Sequence, residues 1–248
     1  MMRRFKADLH MHTVLSPCGS LEMSPVVIVD KALERGIDII GITDHNSTRQ
    51  CAEVYKVGQQ KGVTVFCGAE VTTKEEVHCL TFFENFEKLD AFQAYLDKHL
   101  PEIPNDPERF GHQVWVDADE EILGQEERLL ISAIDQSIDE VESKVRELDG
   151  LFIPAHIFRP SFSVYSQLGF MPFDIKPDAI GISSRYNVEE QLNKHTELKQ
   201  FTVLRSSDAH FPEQIGIHYT VVEMEEPSFE EFRKALHNVE GRRVIELR

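Results

Sequence analysis

Basic residues are scarce in this chain. Its 248 residues include 26 lysines and arginines against 43 aspartates and glutamates, a formal charge of −17. The basic side chains cluster no further than the pairs Arg3-Arg4 and Arg242-Arg243. A surface that grips a duplex or an anionic membrane needs clustered cations to neutralise phosphates. The composition therefore leads to the expectation of no long nucleic acid and no membrane as partner. A small phosphorylated substrate stays compatible, because bound metal supplies local positive charge that a net count does not show. Cysteine is scarce too. Cys18, Cys51, Cys67 and Cys79 are too few for a disulfide scaffold. No apolar run approaches the ~20 residues of a transmembrane helix. The basic start, Met1 to Lys6, has no apolar stretch behind it. Reduced thiols and a cytoplasmic location are the expectation.

What is present is a globular composition, 41% hydrophobic and 28% charged, which argues against disorder. A chain of this length buries roughly 70–75% of its unfolded surface and needs no metal merely to fold. Short β-rich runs alternate with helical patterns. Strands are expected at residues 5–10, 37–43, 63–67, 77–83, 151–155, 178–182, 201–205, 219–223 and 244–247. Ser24 before Pro25 opens a helix that Gly36 ends. Ser47 with Gln50 reads as a capping box for a helix stopping near Gly62. Ser137/Glu140 and Ser228/Glu231 read the same way. This alternation predicts an α/β fold with a parallel sheet, and the number of units favours a closed or nearly closed barrel. Residues 84–136 break the rhythm and read as an insertion ending in a hairpin over the barrel mouth, with Trp115 as a lid residue. No repeat or clear boundary divides the chain, so one domain over 1–248 is expected.

Eleven histidines are present, and six occupy telling places. His10 and His12 end the first strand two apart, so both rings face one side. Asp44 and His45 end the second strand, and Glu70 follows the third. His78 lies in the fourth, and His156 ends the strand at 151–155. Asp208 and His210 again stand two apart. The carboxyl ends of strands in a β/α barrel converge on one face. Gathering that many imidazoles and carboxylates without a counter-ion is costly. Divalent metal removes the cost, and imidazole with carboxylate suits Zn, Mn or Fe.

The ordered set His10-x-His12, Thr43-Asp44-His45, Gly68-x-Glu70, His78, Pro154-Ala155-His156 and Ser207-Asp208-Ala209-His210 resembles the polymerase-and-histidinol-phosphatase (PHP) family. The match runs from about residue 6 to 223 and is poor over 84–136. The resemblance implies a distorted (β/α)7 barrel, two or three divalent metal ions, and phosphoester hydrolysis by a metal-bound hydroxide. It implies that His10, His12 and Asp208 bind a first ion. Glu70 would bridge to a second held by His78 and His156, and His45 and His210 would hold a third. Asp44 would orient a ligand. Cys18 is a departure, since related three-metal members place a histidine or aspartate there. A thiolate at Cys18 would favour Zn or Fe over Mn.

A phosphate pocket also needs cations. Arg159, three residues after His156, and Arg185, after the strand at 178–182, are the candidates. Asp208 is a candidate proton donor to the leaving group. The aromatic residues of 165–173 are candidates for a leaving-group pocket. The expected activity is hydrolysis of a small phosphomonoester, histidinol, sugar and nucleotide phosphates among the candidates. The alternatives are a phosphodiesterase or 3′–5′ exonuclease on short nucleotides, a non-catalytic metal-stabilised module, and an amide hydrolase.

Overall fold

Phe5, Ala7, Leu9 and Met11 alternate along β1 (Arg3–Met11), a strand inside a seven-stranded sheet. The computed structural model describes residues 1–248. Beside β1 lie β2 (Ile39–Ile42) and then β3 (Thr64–Thr72), all parallel, with Ala7 opposite Ile39 and Ile39 opposite Thr64. The crossovers are α1 (Pro25–Glu34) and α2 (Cys51–Lys61). Pro25, Ile28, Val29 and Ala32 form the buried stripe of α1.

The start of α2 differs from the expected capping box. Gln50, not Ser47, occupies the N-cap position, and neither side chain caps the helix. The Gln50 amide instead bonds both backbone groups of Val116, at 2.7 and 2.8 Å. A tertiary contact has taken the group that the local pattern assigns to the cap.

The sheet is not purely parallel. β4 (His78–Phe83) pairs antiparallel with β3, because residues 73–77 are too few for the crossover a parallel strand needs. Residues 84–136 follow as α3 (Phe86–His99), α4 (Pro107–Phe110) and a hairpin of β5 (Val114–Val116) and β6 (Ile122–Gln125). Val114 and Val116 pack on Val14, and the Asn46 amide donates to Leu130 and Ser132 carbonyls. This segment therefore rests on the loops that follow β1 and β2.

After α5 (Ile138–Glu147), β7 (Leu151–Pro154) returns antiparallel to β4. A short helix α6 (Val164–Gln167) precedes β8 (Ile180–Gly181), and α7 (Val188–Lys194) precedes β9 (Val203–Leu204). β8 and β9 form a separate parallel pair of two residues each. Asp178 and Ile157 tie β8 to β7 through backbone bonds of 2.9 Å. Ser206 accepts from the Leu9 amide, and Met11 bridges Ala209, so the chain after β9 lies against β1. On the other side of β1, β10 (Thr220–Met224) and β11 (Arg243–Leu247) add antiparallel strands around α8 (Phe229–Leu236).

Strand alternation separates two cores. Ile40, Phe83 and Phe152 face one, with α1, α2, α3 and α5. Ile39, Phe82 and Leu151 face the other, with Phe229, Phe232 and Leu236 of α8. The result is a curled α/β half-barrel.

Candidate metal centre

The His-x-His end of β1 is zipped to the Asp-x-His segment after β9. His12 donates its amide to Ala209, and Ala209 donates to His10. Glu70, at 1% exposure, stands at the middle of the cluster. Its Oε1 lies 3.1 Å from His10 Nε2, 3.0 Å from His78 Nδ1 and 3.2 Å from His156 Nε2. Its Oε2 lies 3.4 Å from both His12 Nε2 and His45 Nδ1. Asp208 Oδ1 is 3.3 Å from His10 Nε2, 3.6 Å from His12 Nε2 and 3.8 Å from His210 Nδ1. His156 and Asp208 both hold left-handed backbone, at φ of 31° and 55°. Such strain in a non-glycine residue costs about 1–3 kcal/mol and persists where surrounding bonds over-determine it.

Asp44 does not face the cluster directly. It accepts from the Thr13 amide at 2.8 Å, the Thr13 hydroxyl at 2.7 Å and the Ser16 hydroxyl at 2.7 Å. Ser16 Oγ in turn accepts from the His45 amide and lies 2.9 Å from His12 Nδ1. With Nδ1 engaged, His12 aims Nε2 at Glu70 and Asp208. The sequence gives Ser16 no bonding role; it lies inside the His12–Cys18 loop. That loop is tight, since a Cβ on Gly19 would meet the Thr13 carbonyl at 2.5 Å. It brings the Cys18 thiol within 4.8 Å of nitrogens of His12, His45 and His210. Phe162 also escaped notice. Its ring stacks on His78 at 4.9 Å.

Burial opposes charge on Glu70, but His10 and His78 outweigh it and hold the carboxyl well below its ordinary range. Burial alone would lower His10 and His12, yet Glu70 and Asp208 raise both. Burial wins at His45 and His156, which are lowered, and pushes His210 down to about 4. His10 Nε2, His12 Nε2, His45 Nδ1, His78 Nδ1 and His156 Nδ1 are buried without a hydrogen-bond partner. Leaving so many polar atoms unpaired is costly. Four groups satisfy the distances of a metal site: His12/Cys18/His45/His210, His10/His12/Asp208, His10/Glu70/His156 and His45/Glu70/His78. Imidazole, carboxylate and thiol donors fit divalent transition metals.

A cavity of about 320 Å³ opens beside the cluster. His10, His156 and Asp208 form one wall, and Arg159, Arg185, Ser183, Tyr186 and His218 also line it. Leu9, Leu80, Ile153 and Leu204 supply apolar lining. Arg159 Nη1 lies 3.3 Å from Asp208 Oδ2. Both arginines thus share a cavity with the cluster. Trp115 and residues 165–173 do not line it. Trp115 packs against Gly124 under the Arg49 guanidinium. Tyr165 packs on Phe158 and His195 and donates to Glu197.

The curled sheet brings together donors that could hold divalent metal ions. A family model described as the PHP domain matches residues 8–156, and one described as PHP-associated matches residues 199–240. The chain belongs to the PHP family. An uncharacterized Bacillus subtilis protein, YqxK, is 24% identical over 277 residues, covering 98% of this chain and 65% of that protein. The lesion-specific endonuclease PfuEndoQ of Pyrococcus furiosus superposes with a TM-score of 0.73 at 21% identity, over 99% of this chain and 58% of that one. Endonuclease Q bound to a 27-mer duplex with an abasic lesion at the active site gives 0.70 at 21% identity, over 98% and 58%. This chain thus spans less than two thirds of both proteins.

These likenesses correct one expectation. The −17 charge does not exclude long nucleic acid, because a protein of the same fold holds a DNA duplex at its active site. Net charge sums the whole surface, whereas phosphate meets only the local field of arginines and metal.

Proposed function

We propose that this centre hydrolyses a phosphoric ester, with a small phosphomonoester as the first reading. The observation that carries it is the convergence of five imidazoles within 3.4 Å of the Glu70 carboxylate, beside a cavity that two arginines line. We assign His10, His12 and Asp208 to one ion, and Glu70, His78 and His156 to a second. Cys18, His45 and His210 take a third, with Asp44 orienting His12 through Ser16. Zn, Mn and Fe suit the nitrogen and oxygen donors, and the Cys18 thiol favours Zn or Fe. Divalent ions bound there supply a water nucleophile at neutral pH and neutralise phosphoryl charge.

The chain's own residues do the rest. Arg159 and Arg185 bind phosphoryl oxygens through their planar forks. Asp208 acts as a carboxylate, because His10 and His12 hold it ionised against the effect of burial. The apolar lining of the cavity receives the organic group and keeps water from it. The same reading takes the curl as a distorted (β/α)7 barrel, with residues 1–248 as one domain.

The likeness to endonuclease Q favours a second reading, cleavage of a phosphodiester in DNA. One assay separates the two. The chain, loaded with Zn, Mn or Fe(II), is offered histidinol phosphate, sugar phosphates, nucleoside monophosphates and a duplex carrying an abasic site. Phosphate release that the His10→Ala variant lacks supports the first reading, and strand cleavage that it lacks supports the second. Neither product from metal-loaded protein overturns both.

A further inference from the structure

We propose that Asp8 is a positioning residue, one carboxylate that clamps both ends of the loop carrying Asp208 and His210. Asp8 lies on β1 two residues before His10 and is fully buried. It belongs to none of the four donor groups. Its Oδ1 accepts from the Ser207 amide at 2.9 Å, and its Oδ2 accepts from the Gly216 amide at 2.8 Å. Residues 207–216 are therefore tied at entry and exit to the strand that carries His10 and His12.

The loop needs such a tie. Asp208 sits in left-handed backbone, a conformation that only fixed surroundings maintain. Inside the loop, Gln214 Oε1 accepts from the His210 and Phe211 amides, so the exit is coupled to His210. Asp8 thus sets Asp208 and His210 from outside the donor set, as outer-shell partners do.

The chemistry favours a carboxylate for this task. If Asp8 only filled space, a neutral isostere would suit the site better. A carboxylate offers two acceptor oxygens at once. An asparagine offers one, and its amino group would face the remaining N–H.

The proposal rests on Asp208 and His210 being ligands, and the test separates the two ideas. Zinc affinity of the full chain is measured by competition with a chromogenic chelator for wild type, Asp8→Asn and Asp208→Asn. Hydrogen exchange is followed at the Ser207 and Gly216 amides. The Asp8→Asn variant should keep its circular dichroism, exchange at least one of the two amides about tenfold faster, and bind zinc about tenfold more weakly. Where phosphoester turnover is measurable, kcat should fall while KM moves less than about threefold. Unchanged zinc affinity in Asp8→Asn, with Asp208→Asn weakened, overturns the role of Asp8 alone. Unchanged affinity in Asp208→Asn overturns the ligand assignment and, with it, this proposal. If Asp8→Asn does not fold, exchange in metal-free wild type decides. Protected Ser207 and Gly216 amides support the clamp, and exchange at free-peptide rates overturns it.

Discussion

Arg159 reaches the cavity wall beside Asp208, where a phosphoryl oxygen would compete for its guanidinium. Replacing it with alanine should raise KM for the hydrolysed ester roughly tenfold, since a hydrogen bond to a charged group contributes about 1.5–3 kcal/mol. Metal content should not change. Steady-state kinetics beside metal analysis checks this, and a wild-type KM would contradict it. The histidines predict a second observable. Glu70 and Asp208 raise His10 and His12 above the usual imidazole value, while burial lowers His45, His156 and His210. In the metal-free centre protons therefore favour His10 and His12 over His45, His156 and His210. Metal needs neutral imidazole and ionised thiol, and burial raises the Cys18 thiol, so zinc uptake should release protons, fewer as pH rises. A zinc titration in weak buffer reads that release directly. The clustering of these donor side chains was legible from them as a set, because His10 and His12 end one strand and the others stand in or after later strands. Ser16 and Phe162 were not, because their roles come from neighbours distant along the chain: Asp44 for one and the His78 ring for the other.

The β3–β4 hairpin carries Glu70 and His78, and its close approach depends on Gly68. A Cβ there would lie 1.7 Å from the Thr81 carbonyl oxygen. Backbone cannot yield as a flexible side chain does. Gly68→Ala should cost about 3 kcal/mol, at the upper end for overpacking. It should also weaken metal binding, since Glu70 follows two residues later. Urea denaturation with a zinc titration tests both effects. The same hairpin explains why an alternating pattern misled the reading of strand direction. Periodicity reports burial, not sense, and the five residues between β3 and β4 were the informative feature. The helix at Cys51 gives the opposite lesson. Its apparent capping box was local, and Val116 outbid it for the Gln50 amide.

Across the molecule, the centre gathers buried groups that lack partners, so bound metal should stabilise the fold as a whole. A ligand that binds only the folded state at 100 times its Kd adds about 2.7 kcal/mol. For a chain of this size that raises Tm by roughly 5–10 °C. Thermal unfolding with and without a chelator checks it, and an unchanged Tm would argue against occupied sites. Charge also acts at this scale. The total of −17 counts every charged side chain, buried acids included, while Arg159 and Arg185 line one cavity. That is why composition misjudged nucleic acid as a partner for this fold.

Local sequence carried the alternation of strands and helices, the donor residues at strand ends and the family they resemble, because period and spacing act over a few residues. Other features needed the folded chain. Glu70 meets His156 across 86 residues of sequence, and Asp8 meets Gly216 across 208. The pairing of β10 with β1 and the cavity beside the donors arise from contacts of that range. No pattern within a single segment encodes which distant amide a buried carboxylate will bind. Closure of the chain around the site settles it, because each buried acceptor must find the donor that packing brings.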